Sequence, residues 1–202
     1  MSNSSGFLSD VDILQAIKEG KISINPFREE RLGSWTYDVE LGNFFRIPLH
    51  TTVKFIDPRF HNHEDFFEKV EVKDGGEFIL HPHRFVLAHT KEYVKMDEST
   101  VCLLEGRSSF ARWGIVPHVQ AGIGEPGWEG QYTLEIMNMN EVPVILRPGD
   151  VLAQLYFCKL ISPSGNPYWK KASKKYQAQL GPTGSKLFWE FKKKREDEKV
   201  NL

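Results

Sequence analysis

The amino-acid sequence predicts a mainly β protein, with strands closed into a barrel or stacked as two sheets and only a few short helices. Three observations carry this expectation. Short apolar or alternating runs recur along the 202 residues, separated by Gly- and Pro-containing turns. Aromatic residues are plentiful, at 14 Phe, 5 Trp and 6 Tyr, and such rings suit a pleated, half-buried surface better than a helical bundle. Helical periodicity is confined to one segment near the start and, on one of two readings, to the last.

In chain order, residues 1–8 are polar and read as a frayed start. Ser9 or Asp10 then caps a short helix in which Val11, Ile13, Leu14 and Ile17 form an apolar face, and Gly20 stops it. Residues 22–24 alternate as a strand until Pro26 breaks it. The run W-T-Y-D-V-E-L-G-N-F over 35–44 reads as a strand entering a glycine turn. Further strands are expected at 53–56, 77–80, 85–89 and 101–104, with turns at Asp57-Pro58, Asp74-Gly75-Gly76 and His81-Pro82. Residues 59–73 are charged and irregular, as in a surface insertion. A strand over 131–137 follows, then strands over 142–146 and 151–157 joined by Arg147-Pro148-Gly149-Asp150. From Ser162 the composition turns to Pro, Gly, Ser, Lys and Tyr, which reads as an arm over 162–202 beside a barrel over 1–161. The final S-K-L-F-W-E-F-K-K-K-R-E-D-E-K suits either a helix with Glu/Lys pairs or an extended segment.

Bulk properties narrow the function. A chain of this length suits one domain with a sizeable core, or two small ones. At 40% hydrophobic, 26% charged and a net charge of −1, it has no global field to recruit nucleic acid or an anionic membrane. No apolar run approaches the roughly 20 residues that span a bilayer, and the first ten residues lack the basic and apolar parts of a signal peptide. Cys102 and Cys158 sit in apolar strand contexts and read as buried free thiols. A cytoplasmic protein is expected.

The chemistry concentrates in residues 104–138. A Gly-Arg-Ser-Ser loop opens this stretch, and its glycine is expected to let backbone N–H groups and hydroxyls converge on an anion. Arg107, Ser108, Ser109 and Arg112 supply a guanidinium fork and hydroxyls suited to phosphate, or equally an ordinary surface turn. Strand 131–137 puts Tyr132, Leu134 and Ile136 on one face and Thr133, Glu135 and Met137 on the other. Glu135 is therefore either a solvent-facing acid or a desolvated proton carrier near neutral pH. His81, His83 and His89 lack the acidic or thiolate companions of a metal site and read as scattered, satisfied histidines. The zinc deaminase signature H-x-E…P-C-x-x-C is absent from the sequence. Lys170, Lys171, Lys174 and Lys175 suit a triphosphate better than nucleic acid, with a solvated arm as the plain alternative.

Several motifs in one order resemble the dCTP deaminases of the dUTPase superfamily over most of the chain. They are S-D-x-D-I, I-x-P-F, Y-D-V-E-L-G, G-R-S-S-F-A-R, H-V-Q-A-G, P-G-W-E-G-Q-Y-T-L-E, S-P-S-G-N-P-Y and K-Y-Q-A-Q-L-G-P-T. The resemblance implies a dUTPase-like distorted β-barrel of β-clip or jelly-roll type, assembled as a homotrimer with shared active sites. It implies zinc-independent hydrolysis of magnesium-bound dCTP to dUTP and ammonia, supplying dUMP for thymidylate synthesis. By the same resemblance Glu135 is the general acid/base, and Ser108, Arg112 and the Ala121 carbonyl hold the water and the leaving amine. Arg107 and Ser109 contact the triphosphate, Tyr168, Lys175 and Gln179 close over it from the arm, and Glu125 and Gln131 are further substrate-binding positions. Family members that only deaminate resemble A-H-R-I-D-P-G; those that also cleave dUTP to dUMP and pyrophosphate resemble A-G-(W/F)-I-D-x-G. Here the segment is A-G-I-G-E-P-G, so Ala121-Gly122 follows the second type while Gly124 and Glu125 depart from both. The readings left open are a deaminase, with or without diphosphatase activity, a dUTPase-like hydrolase without deamination, and a non-catalytic nucleotide-binding barrel.

Overall fold

The structure, a computed structural model, describes residues 5–73 and 75–200, with side chains to residue 198. Residues 1–4, Asp74 of the expected glycine turn and the last two residues lie outside that description. The short strand β1 (Gly6–Phe7) pairs with a later strand, so this part of the expected frayed start is ordered. Phe7 stacks edge-on with Trp35, and that contact was not visible in a polar-looking segment. In α1 (Asp10–Lys18), Ser9 is the N-cap: its hydroxyl accepts from the Asp12 N–H while the Asp12 carboxylate accepts from the Ser9 N–H. Such reciprocal capping is worth about 1 kcal/mol. Ile13 and Ala16 are buried, but Val11 and Leu14 stay exposed, so the apolar face is narrower than the periodicity implied. Gly20 follows the helix at φ 71°, a conformation that favours glycine.

β2 (Ile22–Asn25) stops before Pro26, and β3 (Tyr37–Val39) is only the centre of the longer strand expected at 35–44. Gly42 lies in the break of that run, at a position where a Cβ would fall 2.2 Å from the His89 ring. The chain resumes as β4 (Phe44–Pro48), which pairs with β5 (Phe67–Glu71). β5 corrects the reading of 59–73 as irregular: F-E-K-V-E alternates, and the edge of β4 gives it a partner. Conversely, residues 53–56 form no strand, because Val53, Phe55 and Ile56 lie exposed with no neighbouring edge. β6 (Phe78–Leu80) precedes β7 (Phe85–Met96), which runs seven residues past the expected end at 89. The added half contains buried Thr90 and Glu92, polar residues that hide the strand pattern.

β8 (Thr100–Gly106) leads through the four-residue α2 (Ser108–Ala111) to β9 (Ile115–Val116) and β10 (Ile123–Gly124). β11 (Glu129–Asn138) alternates buried and half-buried residues without a break, as the sequence predicted. β12 (Val144–Leu146) and β13 (Ala153–Lys159) complete the strands, and α3 (Leu187–Val200) settles the last segment as helix. One sheet orders β1-β13-β8-β10 with β3 also on β13, another orders β5-β4-β7-β11-β9 with β2 on β7, and β12-β6 form a ribbon. These pairings close no ring among the described residues; the mainly β expectation holds, with the barrel open. Tyr37, Phe45 and Phe157 are the largest fully buried side chains, and Phe45 stacks on Phe78 at 4.2 Å to join two sheets. Cys102 is buried and Cys158 only half-buried, and both are free, so the second thiol is more open than expected.

A buried acidic pair sits beneath β3. Glu40 is 3% exposed and bonds to Arg28, Arg31 and Lys91. Burial alone pushes its carboxyl up, but those cations outweigh burial and hold it below the ordinary range. Glu92 accepts from the Glu40 N–H at 3.0 Å, and burial pushes its carboxyl to about 7. No helix among the described residues is long and apolar enough to cross a membrane.

Candidate active site

Alternation along β11 places Thr133 and Glu135 on the face away from the core, and the β7 register sets Leu87 opposite Glu135. Over this face lies a pocket of about 490 Å³ whose lining includes Ala121, Glu125, Thr133, Glu135, Tyr168 and Gln179. Glu135 is half-buried, and its Oε2 accepts from the Gln120 N–H at 2.9 Å. That bond ties the carboxylate to the segment carrying Ala121. Ala121 has φ 76°, a left-handed conformation costly for any residue with a Cβ. Its neighbour Gly122 is required by close approach, since a Cβ there would meet the Leu104 carbonyl at 2.6 Å and the His118 ring at 2.9 Å. Glu135 also borders a shallower hollow of about 720 Å³ lined by Val119, Gly122 and Ile123. His118 is a neighbour that sequence reasoning left unassigned: burial pushes its pKa down, against the pull of Glu135 and Glu105.

The Gly-Arg-Ser-Ser loop lies elsewhere. Ser108, Ser109 and Arg112 are exposed, and neither they nor Arg107 line the pocket that holds Glu135. Arg107 pairs with Asp38 at 3.4 Å. Gly106 serves packing rather than an unusual backbone angle, because a Cβ there would meet the Pro117 ring at 2.9 Å. The expectation that this glycine frees the loop to wrap an anion is corrected accordingly. α2 is a single turn, so its few N–H groups make no macrodipole argument.

The arm folds back along β11. Gln131 N–H donates to the Gln179 carbonyl at 3.0 Å, and the Gln179 side chain returns a bond to the Gln131 carbonyl at 2.7 Å. The Gln131 side chain accepts from the Gly181 N–H at 2.7 Å, so this residue anchors the arm rather than lining the pocket. Thr183 N–H donates to Thr133 Oγ1 at 3.1 Å, and the Trp128 indole donates to the Tyr176 carbonyl at 2.9 Å. Tyr168 and Gln179 reach the pocket; Lys175 does not, and instead pairs with Glu190 of α3 at 2.7 Å. His63, Tyr176, Thr183 and Ser185 also line the pocket. Of these, Tyr176 and Thr183 belong to K-Y-Q-A-Q-L-G-P-T, whereas His63 lay in the stretch read as insertion and carried no signal. His89 is buried, bonded to the Thr90 carbonyl and the Phe44 N–H, a satisfied core histidine. Among the described residues no group of three or more His, Cys, Asp or Glu converges on a metal-sized site.

The dCTP deaminase-like family model matches residues 7–160. The chain belongs to the dCTP deaminase-like family. A relative named "dCTP deaminase, dUMP-forming" from Dictyoglomus thermophilum is 43% identical over 194 residues, covering 94% of this chain and 98% of its own. Another of that name, from Bifidobacterium adolescentis, is 42% identical over 187 residues, covering 92% and 96%. One from Haloarcula marismortui, named "dCTP deaminase", is 39% identical over 183 residues, covering 89% and 94%. Among solved structures, 2'-deoxycytidine 5'-triphosphate deaminase from Agrobacterium tumefaciens aligns with a TM-score of 0.59 at 17% identity, a likeness of fold. That alignment covers 77% of this chain and 49% of the other.

Both departures from the family pattern have local reasons. A Cβ on Gly124 would fall 2.0 Å from the Tyr132 hydroxyl and 2.9 Å from the Met96 methyl. The Tyr132 hydroxyl thus occupies the space that a side chain at 124 would need. That hydroxyl is buried without a conventional partner beside Cys102, whose thiol burial pushes to about 12. Glu125, one methylene longer than the aspartate of the pattern, reaches out to pair with Lys171 of the arm. We expect Gly124→Ile to destabilise the fold by at least ~1–3 kcal/mol through overpacking. Adding Tyr132→Val should recover most of that loss in urea unfolding. A single variant as stable as the parent would remove the explanation.

Proposed function

We propose that this protein hydrolytically deaminates dCTP and carries the product on to dUMP and pyrophosphate, supplying dUMP for thymidylate synthesis in the cytoplasm. The observation that carries the reading is Glu135: half-buried, bonded to Gln120 N–H, and set beside the left-handed Ala121 in a pocket closed by the chain's own arm. Its carboxylate takes a proton from water as the oxygen attacks C4 of cytosine, and delivers a proton to N3. It then takes the proton of the new C4 hydroxyl and passes it to the exocyclic amine, so that the C–N bond breaks, the C4 carbonyl forms and ammonia leaves. Ser108, Arg112 and the Ala121 carbonyl position the water and the amine, and Arg107 and Ser109 bind the triphosphate. Tyr168, Lys175 and Gln179 close from the arm, which Gln131 anchors, so the chain divides into a barrel over 1–161 and a lid over 162–202.

Ser108, Ser109 and Arg112 are exposed and do not line the Glu135 pocket, which supports a reading in which a second copy brings them there. The reading is therefore a homotrimer with three shared sites. Exposed Val119 and Ile123, which line the hollow beside Glu135, supply apolar surface for such an interface. Magnesium arrives on the triphosphate oxygens and offsets their charge. The proton transfers are assigned to Glu135 without zinc. The dUMP-forming step is supported by Ala121-Gly122 and by the names of the Dictyoglomus and Bifidobacterium relatives. To Glu125, which lines the pocket, we assign that step, by ring recognition or by orienting a second water.

Incubation with dCTP and magnesium in the presence of a zinc-selective chelator, with dUTP, dUMP, pyrophosphate and ammonia resolved, tests the proposal. We expect dUMP, pyrophosphate and ammonia. dUTP with ammonia as the only products would restrict the chain to deamination, as the name of the Haloarcula relative suggests. Hydrolysis of added dUTP without turnover of dCTP would replace the deaminase reading altogether.

A further inference from the structure

α3 lies beyond the residues matched by the family model, yet it is tied to the arm and to the loop before β5. Near its start, Glu190 Oε2 accepts from Lys175 Nζ at 2.7 Å, while Glu190 Oε1 lies 3.4 Å from Lys194 one turn on. Lys186, just before the helix, donates its N–H to the Tyr176 hydroxyl at 3.2 Å and its ammonium to the Lys175 carbonyl. Further along, the Arg195 guanidinium donates to the Arg59 carbonyl at 2.9 Å and sits over the Phe60 ring at 5.1 Å. Glu190 is thus a carboxylate held in place by a helix pinned at both ends. The other arm lysines also have partners: Lys171 has Glu125, Lys174 has the Trp169 carbonyl, and Lys170 lies over the Trp169 ring.

We infer that Glu190 is an internal stand-in for a nucleotide phosphate: it holds Lys175, and a polyphosphate must take the lysine from it. The inference rests on the assignment of Lys175 to the triphosphate under the proposed function. A carboxylate and a phosphate oxygen offer the same acceptor to an ammonium, and the lysine serves one of them at a time. The lysine and the carboxylate also shift each other's proton affinity, chiefly through their hydrogen bond, with Lys175 raised and Glu190 lowered, so both stay charged at neutral pH. Glu190 therefore weakens polyphosphate binding and recaptures Lys175 as product leaves.

Calorimetry of dCTP and magnesium binding in the Glu135→Gln background tests this, with Glu190→Gln, Lys175→Met and the two together added. Both partners are about one-third exposed, which limits an ion pair of this kind to a modest effect. Glu190→Gln should tighten binding about two- to fivefold, by less in high salt, and Lys175→Met should weaken it about tenfold. In the Lys175→Met chain, Glu190→Gln should change nothing. Unchanged or weaker binding in Glu190→Gln overturns the inference, and so does equal tightening with and without Lys175. An unaffected Lys175→Met variant removes the phosphate role of that lysine and the inference with it, leaving the Glu135 chemistry intact. Absence of dCTP binding in the parent would reject the proposed function itself.

Discussion

Glu135→Gln should abolish dCTP deamination while leaving dCTP binding within about threefold of the parent. General acid–base catalysis by one positioned group contributes about 10²–10⁴-fold, and here a single carboxylate is assigned every proton transfer, so kcat should fall by at least about 10³-fold. Glutamine keeps the length of the side chain and an oxygen that accepts from Gln120 N–H, so the Ala121 turn and the pocket wall stay in place. Single-turnover product analysis beside calorimetry separates chemistry from affinity. Wild-type-like turnover would discard Glu135 as the base. Loss of binding together with turnover would make it a structural residue that holds the 120–123 loop.

Mixed assemblies give the second large effect. Arg112→Ala keeps Glu135 and loses the Arg112 guanidinium; Glu135→Gln keeps that guanidinium and loses the acid. Each variant alone should be nearly inactive. If every site joins one copy's Glu135 to a neighbour's Arg112, random co-assembly of equal amounts builds one intact combination out of four. The mixture should then recover about one quarter of wild-type activity. Co-refolding from denaturant, followed by the ammonia assay, reads this directly. No recovery in a mixture shown by mass to contain hybrid assemblies would place the whole site within one chain.

How much of this was legible beforehand differs from element to element. The capping of α1 by Ser9 and its stop at Gly20 were readable because both act within four residues. β11 was readable because its period of two is unbroken from Glu129 to Asn138. β7 was cut short because Thr90 and Glu92 are buried polar residues, satisfied by bonds such as Glu40 N–H to Glu92 that join positions 52 apart. Residues 53–56 looked like a strand by composition, but a strand exists only where an edge accepts it, and β5 gained that edge from β4 instead. His63 entered the pocket with no motif at all, delivered by the same segment.

What the sequence by itself determined is the chemical cast and its local facing: Glu135 on the outer face of β11, Ala121-Gly122 in the segment before it, and hydroxyls and guanidinium groups in the 106–112 loop. Side-chain direction along a strand and the freedom of a glycine are set by nearest neighbours, so they can be read in one dimension. Only the tertiary structure decided which members of that cast meet. It separated the loop from the Glu135 pocket, seated the arm on Gln131 and Thr133, and handed Lys175 to Glu190. Those outcomes depend on strand register and on contacts between distant segments, where the energy of each meeting belongs to the folded whole and leaves no local pattern.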